Sequence, residues 1–229
     1  MLRGDSVFRS AGCALRLGLS AAGLAALAAC GSPPVVHLHS LMPDDAAPSS
    51  EAHARLPAGT PLVVVLDPIR MPSQVDQPQW LVRLPDGSLA SLEQERWASP
   101  LRDEFQQAVL ETLIVRYGVV ELRHSGNAVV SSASALRVGI DVRRFESAAG
   151  RQARIEGSWT ISSAAPTTVS SPAPAHCEWS IRERAEGAPS ALAQAHRRAV
   201  ARLADAIGTA MVAIKRGEAP KCPVGDGPG

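Results

Sequence analysis

Two stretches of alternating apolar and polar residues constrain the fold of this chain more than any other feature. In residues 136–142 (LRVGIDV) every second residue is apolar, and in residues 154–161 (RIEGSWTI) Ile155, Trp159 and Ile161 share one phase. Because successive side chains of a strand point to opposite faces, each stretch predicts a strand with one buried and one solvated face. Such strands are typical of an antiparallel sheet with one side open to water.

Other segments predict the remaining strands of this sheet. They are the continuous apolar run 62–66, a hairpin formed by residues 79–84 and the chain from residue 89 around the turn 85–88, and a return strand at 178–184. A continuous apolar run favours a strand that is covered on both faces. The turn carries the Pro, Asp, Gly and Ser residues that reverse a chain.

Two helices are predicted from apolar spacing and from their end signals. In the first, Ser99 is the expected N-cap, Pro100 the first helical residue and Gly118 the end. The second begins at Pro189, keeps an apolar stripe as far as Ile214 and ends at residues 215–217. The sum predicts an α+β fold, with a largely antiparallel sheet and two helices packed on one face.

The first 29 residues have the features of a secretory signal. Arg3, Arg9 and Arg16 precede the uncharged apolar run 17–29, which is too short to span a bilayer. The alternative is a buried N-terminal helix. The following Leu-Ala-Ala-Cys resembles the bacterial lipobox, and this resemblance implies that Cys30 becomes the acylated first residue of the mature protein. Because Gly31 and not Asp follows this cysteine, we expect a lipid-anchored protein at the periplasmic face of the outer membrane.

The sequence predicts different chemistry for the four cysteines. Cys13 is lost with the signal and Cys30 is acylated, so Cys177 and Cys222 remain in an oxidising compartment. We predict that these two form a disulfide, the alternative being two unpaired thiols. The net charge of +1 has no long basic or acidic block, so nothing predicts nucleic-acid binding.

The predicted organisation has four parts: a lipoprotein signal peptide at 1–29, a flexible tether at 30–60, a single α+β domain at 61–216 and a Gly/Pro-rich tail at 217–229. Within the tether, residues 35–41 could form a short strand. Its His37 and His39 share a side and could suggest a metal site, but no further ligand lies at metal-binding spacing. Two solvent-facing histidines are therefore the prediction, with no metal and no cofactor.

No catalytic motif is present in the sequence. His196 lies on the second helix, and its neighbours Arg197 and Arg198 predict a position on the solvated flank. Asp141 and Glu156 could be imagined as an acid–base pair. Their phase points outward, and cross-strand ion pairs are the better hypothesis. The basic residues available for such pairs are Arg137, Arg143 and Arg154. The sequence therefore predicts that the protein is not an enzyme.

Residues 71–101 carry two recognisable segments. One runs from Met71-Pro72 to Asp76-Gln77-Pro78-Gln79-Trp80-Leu81-Val82-Arg83, and the other is Arg96-Trp97-Ala98-Ser99-Pro100-Leu101. Together with the lipobox they resemble the PqiC (YmbA-like) family of ABC-type transport auxiliary lipoproteins. Gln77 stands where Arg is usual in that family, and Ser99 where Glu is usual.

This resemblance implies a non-enzymatic accessory subunit of a phospholipid transport system that links the inner and outer membranes and supports envelope integrity. The implied partners are an MCE-domain protein and its inner-membrane subunits, with the lipoprotein docked at the outer membrane as a ring-like oligomer. Two other hypotheses stay open: a self-contained lipid-binding lipoprotein with its own apolar cavity, and a structural lipoprotein of another envelope assembly.

The shared segments suggest physical roles for their residues. Prolines restrict the backbone and a carboxylate can accept backbone N–H bonds, so a defined corner is expected. The two indoles could pack on each other or present a flat apolar surface, and the two arginines suit a carboxylate. A structural corner, a protein contact and a lipid headgroup site remain alternatives. The residues concerned are Pro72, Asp76, Pro78, Gln79, Trp80, Arg83, Arg96, Trp97 and Pro100.

Overall fold

The structure is a computed structural model, and it describes residues 34–43, 62–122, 135–165 and 173–222. Its contacts divide the chain into two units, Met1–Val35 and Val36–Gly229. Every helix and strand described below belongs to the second unit. The segment predicted as a signal peptide and Cys30 lie outside the described residues.

The second unit contains eight strands and two helices in the described ranges. The strands are β1 (His37–His39), β2 (Leu62–Leu66), β3 (Gln79–Arg83), β4 (Leu89–Trp97), β5 (Val119–Glu121), β6 (Leu136–Ala148), β7 (Gln152–Ser163) and β8 (Ala175–Arg184). The helices are α1 (Leu101–Tyr117), between β4 and β5, and α2 (Pro189–Lys215), after β8. The predicted strand positions are therefore found, and β1 falls within the short strand considered at 35–41.

Strand β6 organises the sheet. Along one edge it pairs antiparallel with β7, which pairs antiparallel with β8. Along its other edge it pairs in parallel with β2 and, through one residue, with β3. Beyond these, β2 and β5 are parallel, β3 and β4 form the predicted antiparallel hairpin, and β4 and β1 are parallel.

The prediction of a largely antiparallel sheet is wrong, because the sheet is mixed. Of the strand pairings in the described ranges, four are parallel and three antiparallel. An alternating pattern shows which face of a strand is buried, but it is the same for either strand direction. The parallel partners β2 and β5 are joined by a long crossover that contains the hairpin and α1, as parallel pairing requires.

The α+β class is confirmed. Helix α2 covers the apolar face of β6, β7 and β8, whereas α1 packs mainly on α2 and β5 and reaches β6 through Phe105. On that face Ile155 and Trp159 have no exposed surface. Phe145 of β6 contacts both helices: its ring centroid lies 6.4 Å from that of Phe105 on α1 and 3.9 Å from that of His196 on α2. All five residues of β2 are buried, as its continuous apolar sequence predicted.

The start of α1 differs from its prediction by one residue. Pro100, not Ser99, is the N-cap, and its carbonyl accepts the first helical hydrogen bonds, from the N–H groups of Asp103 and Glu104. Ser99 Oγ instead donates to the Glu104 carboxylate at 2.9 Å. The end is as predicted: Gly118 has φ 63° and its N–H donates to the carbonyl of Ile114.

Helix α2 begins at Pro189, as predicted. The last residues of α1 pack against the middle of α2. Arg116 of α1 forms an ion pair of 2.5 Å with Asp205, and the Tyr117 hydroxyl donates to the Asp205 carbonyl at 3.0 Å. The Tyr117 ring lies against Gly208, where a Cβ would approach ring carbons at 2.5 Å. A glycine at this position therefore permits the close approach of the two helices.

The folded unit includes part of the segment predicted as tether. Leu41 is 1% exposed, and the buried carboxylate of Glu104 accepts hydrogen bonds from Ser40 Oγ at 2.7 Å and from the Leu41 N–H at 2.9 Å. Residues 36–43 therefore belong to the folded unit, which corrects the tether prediction for this stretch. Residues 44–60 of the predicted tether lie outside the described residues.

The tail after α2 is covalently tied to the sheet. Cys222 forms a disulfide with Cys177 on β8. Cys177 is buried, whereas Cys222 is exposed. The bridge joins residues 45 positions apart and closes a loop that includes all of α2.

Candidate functional site

The corner between β2 and β3 is built by Pro72 and Asp76. The Pro72 carbonyl accepts hydrogen bonds from the N–H groups of Val75 at 3.1 Å and Asp76 at 3.2 Å. Asp76 then accepts from the backbone N–H of Arg102 at 3.3 Å and forms an ion pair with its guanidinium. Because Pro100 offers no capping side chain, the Asp76 carboxylate serves the positive end of α1 from a distant loop.

The two tryptophans of the shared segments lie inside the fold. Trp80 is 2% and Trp97 4% exposed. Their ring centroids are 4.6 Å apart, and the centroid of the His39 ring lies 5.0 Å from that of Trp80 in an edge-to-face arrangement. Of the two roles considered for these indoles, mutual packing is what the structure has. A flat surface offered to a partner is ruled out by their burial.

A buried chain of hydrogen bonds connects the hairpin, β6 and α2. Trp80 Nε1 donates to Ser147 Oγ at 2.8 Å, and Ser147 Oγ lies 2.8 Å from His196 Nε2. The imidazole of His196 also stacks on Phe145, with an interplanar angle of 9°. Three distant parts of the chain are thereby held in register around one hydroxyl.

The predicted solvated position of His196 is wrong, because the residue is fully buried. Its neighbours Arg197 and Arg198 suggested exposure, but adjacent residues of a helix point about 100° apart. The informative signal is the spacing: His196 lies four residues after Leu192 and three before Ala199, both on the buried stripe.

Ser147 and His196 lie as close as a nucleophile and its general base, yet their surroundings are those of a structural pair. Ser147 is 2% exposed and its Oγ already accepts the indole N–H. Among the described residues, His196 Nδ1 has no hydrogen-bond partner, so no carboxylate orients the ring as nucleophilic catalysis requires. The pair fixes the packing of α2 on the sheet.

The burial of His196 predicts an acid-sensitive contribution to stability. Burial lowers the pKa of His196 to about 3, whereas the unfolded residue titrates near 6.5. Above pH 6.5 both states are neutral; below it only the unfolded chain takes up the proton. Stability should therefore fall by about 1.4 kcal/mol per pH unit between pH 6 and pH 4 from this group alone.

Urea unfolding as a function of pH measures this contribution when wild type is compared with His196→Gln. The His196→Gln variant should lack the decrease in unfolding free energy that protonation of His196 causes at low pH. The control His176→Gln, at an exposed histidine, should retain this decrease. Parallel pH profiles for wild type and His196→Gln would contradict the assignment.

The outer face of the sheet carries ion pairs and not an acid–base pair. Asp141 pairs with Arg70 at 3.1 Å, and Glu156 accepts from Arg144 Nε at 2.8 Å and from Arg154 Nε at 2.7 Å. Burial acts to raise the pKa of Glu156, but hydrogen bonds from Arg154, Ser180 and Arg144 outweigh it and lower the pKa. Glu156 is thus held as a carboxylate and is unsuited to donate a proton.

The other two predicted arginine partners are also paired, though not with Asp141 or Glu156. Arg137 contacts Asp67 at 2.6 Å, and Arg143 pairs with Glu178. The outer face is therefore charge-paired as expected, but two of the carboxylates differ from those predicted: Asp67 follows β2 and Glu178 lies on the predicted return strand β8.

Arg83 joins this outer face at its edge. Its Nε donates to Glu146 at 2.8 Å and its Nη1 to the Gly87 carbonyl at 2.9 Å. It borders a cleft of about 210 Å³ between the hairpin and β6, together with Arg143 and Arg144. Two further clefts on this side, of about 270 and 440 Å³, are also lined by charged and hydroxyl side chains.

The remaining residues of the shared segments lie at or near the surface, and one of them, Arg96, neighbours β1. Pro78, Gln79 and Pro100 are exposed, and Arg96 is partly buried. Arg96 stands opposite Gln79 on one side and opposite Leu38 of β1 on the other. Its Nε is buried without a hydrogen-bond partner among the described residues.

The two histidines of β1 converge on one carboxylate. His37 Nδ1 lies 3.1 Å from Glu95 Oε1, and His39 Nε2 contacts the other oxygen of Glu95. The side chain of His37 is 57% exposed and that of His39 only 13%. A solvent-facing position is thus correct for His37 and wrong for His39, which turns toward Trp80. Within the described ranges, no group of three or more His, Cys, Asp and Glu could hold a metal ion.

None of the helices in the described part of the chain is long and apolar enough to cross a membrane. The chain resembles two solved structures in fold. A protein of the DUF330 family from Xanthomonas campestris aligns with a TM-score of 0.58 and 18% identity, over 80% of this chain and 98% of that one. An uncharacterised protein aligns with a TM-score of 0.57 and 11% identity, over 76% of this chain and 97% of that one.

No curated protein sequence matches the chain. The family model of the ABC-type transport auxiliary lipoprotein component matches residues 41–208. This range extends from the buried Leu41 to Gly208 of α2 and contains both segments on which the resemblance was based. The chain therefore belongs to the family of ABC-type transport auxiliary lipoprotein components.

Proposed function

We propose that this protein is a lipid-anchored accessory subunit at the periplasmic face of the outer membrane. It couples an MCE-domain protein, and through it the inner-membrane subunits of a phospholipid transport system, to that membrane. The observation that carries the proposal is the family match over residues 41–208, which begins shortly after the lipobox-like sequence ending at Cys30. The same role includes support of envelope integrity and assembly into a ring-like oligomer.

The walls of the clefts favour an accessory role over self-contained lipid binding. A pocket for acyl chains needs mainly apolar walls. Two of the three clefts described above are bordered mainly by arginine, carboxylate and hydroxyl groups. The cleft of about 210 Å³ mixes three arginines and Glu146 with apolar side chains such as Leu81 and Phe145. None of the three has mainly apolar walls, and their polar groups suit contacts with a protein or a headgroup. The burial of Ser147 and His196 and the ionised state of Glu156 favour a role without bond-breaking chemistry.

Replacing Cys30 by serine should release the protein from membranes. Serine cannot take the thioether-linked lipid, and stable anchoring needs more than one acyl chain. We expect wild type to incorporate labelled palmitate and to sediment with the outer-membrane fraction of a sucrose gradient. Cys30→Ser should be unlabelled and absent from the membrane pellet. Cys13→Ser, in the signal segment, is the matched control and should behave as wild type.

Affinity capture from the same strains tests the coupling role. Wild type, solubilised with its anchor, should retain an MCE-domain protein and its inner-membrane subunits. A Cys30→Ser protein that remains in the membrane pellet and still carries label would contradict the anchor. An anchored wild type that captures no MCE-domain protein, but carries phospholipid itself, would favour the lipid-binding alternative.

A further inference from the structure

Strand β1 and the residue before it present large apolar side chains to solvent. Val36 is 44% and Leu38 65% exposed. The two residues are two positions apart in extended chain, so they share one side. The intervening His37 and the following His39 occupy the opposite side, where they contact Glu95. The histidine side chains on one side of this edge strand thus contact the rest of the domain, and the apolar side chains on the other side are exposed.

A cation stands beside the exposed leucine. Leu38 is the direct cross-strand neighbour of Arg96, and directly opposed residues project to the same face of a sheet. In the described part of the chain no carboxylate pairs with Arg96. The aliphatic part of an arginine can lie along apolar surface while its guanidinium reaches a phosphate. Two apolar side chains beside a guanidinium therefore suit a lipid surface, where acyl chains lie next to a layer of phosphate groups.

The length of chain before β1 limits where this face can be. Five residues separate Cys30 from Val36, and even a fully extended chain spans only about 20 Å over these six steps. A domain of this length has a radius of gyration of about 16 Å. The segment 31–35 is therefore no longer than about half the width of the folded domain. Strand β1 must stay close to the membrane in which an acylated Cys30 would be inserted.

Strand β1 is also held firmly in the folded unit. Its residues therefore do not detach from β4 and lengthen the segment that follows Cys30. Three backbone positions pair with β4, Leu41 is buried in the core, and the Glu104 carboxylate holds Ser40 and Leu41. The module should therefore follow the orientation that its attachment point imposes.

From this placement we infer that the face formed by Leu38 of β1, the preceding Val36 and Arg96 of β4 rests on the phospholipid surface in which Cys30 is anchored. The inference depends on the proposed acylation of Cys30. Val36 and Leu38 enter the interfacial layer, and Arg96 contacts lipid phosphate. The opposite edge strand of this branch of the sheet, β5, points away from the bilayer.

Site-specific photocrosslinking in the full-length, acylated protein tests this orientation. A benzophenone-bearing amino acid replaces Leu38, or Val36 in a second variant, in cells grown with ³²P-labelled phosphate. The matched control replaces Val120 of β5, an apolar residue whose exposure of 45% matches the 44% of Val36. After irradiation we expect severalfold more labelled phospholipid on the protein at positions 38 and 36 than at position 120.

Membrane retention alone would not test this contact, because the acyl chains dominate it. Palmitate labelling of each sample identifies a failure of the anchor itself, which would overturn both the proposed function and this inference. An acylated protein with equal lipid crosslinking at all three positions overturns only the orientation. So does crosslinking of position 38 to a protein in place of lipid.

Discussion

Replacement of Trp80 by alanine is expected to destabilise the protein by about 3–5 kcal/mol, the range for removing a large buried aromatic side chain. Trp80 is 2% exposed, packs on Trp97 and contacts the edge of His39. Its loss also removes the N–H donor of Ser147, at the junction of the hairpin with β6 and α2. Such a change approaches the whole stability of an ordinary domain.

Urea unfolding followed by circular dichroism measures the effect of Trp80→Ala. The matched control is Leu89→Ala on the partner strand β4, where the side chain is 45% exposed and a change within about 0.5 kcal/mol is expected. Trp80→Phe should fall between them, since it keeps an aromatic ring and loses the hydrogen bond. A Trp80→Ala protein with unchanged stability that fails to capture its partner would contradict the structural role.

The fold shows which parts of a sequence pattern can be read locally. Residues 62–66 predicted a strand buried on both faces, and Gly118 and Pro189 marked helix ends, because each signal depends on nearby residues only. Strand direction depends on which distant strands become neighbours. The 13-residue β6 shares one edge between β2 and β3, and no local pattern contains that information.

Long-range partners also account for the errors at individual residues. Ser99 has the chemistry of an N-cap, but Glu104 binds its hydroxyl, and Asp76 serves the first turn of α1 instead. Leu41 lies in a segment whose Pro, Ala and Ser content predicted a tether, yet it is buried. Its partner Glu104 lies 63 residues further along the chain.

The corrected boundary of the tether changes how the protein should behave if it is anchored through Cys30, as proposed. A tether of thirty residues would let the domain turn freely at a distance from the membrane. With β1 starting at His37, the link from Cys30 is short, and the remaining predicted tether lies between β1 and β2. Under the proposed acylation of Cys30, we expect Arg96, which lies opposite Leu38 of β1, to be near the anchor, while the buried Trp80 and Trp97 stabilise the fold.

Replacement of Gly157 by alanine should cost about 3 kcal/mol or more, at the upper end for inserting a methyl group into a packed interior. An ideal Cβ at this position would lie 2.0 Å from the carbonyl oxygen of Asp141 and 2.7 Å from Cζ2 of Trp179. The first contact is with backbone, at the irregularity in the pairing of β6 with β7 after Val142. Neither strand can withdraw without breaking ladder hydrogen bonds.

Gly139→Ala is the matched control, because it adds the same methyl group to the neighbouring strand β6. There the nearest atom to a new Cβ is Asp67 Oδ2 at 3.8 Å, an ordinary contact. Alanine also restricts the unfolded chain more than glycine does, so this variant should be unchanged or more stable by about 0.4–1 kcal/mol. Urea midpoints with equal denaturant slopes compare the two variants directly. Equal stabilities would mean that β6 and β7 are further apart at Gly157 than this packing requires, and the close packing of the Trp179 ring over Gly157 would have to be abandoned.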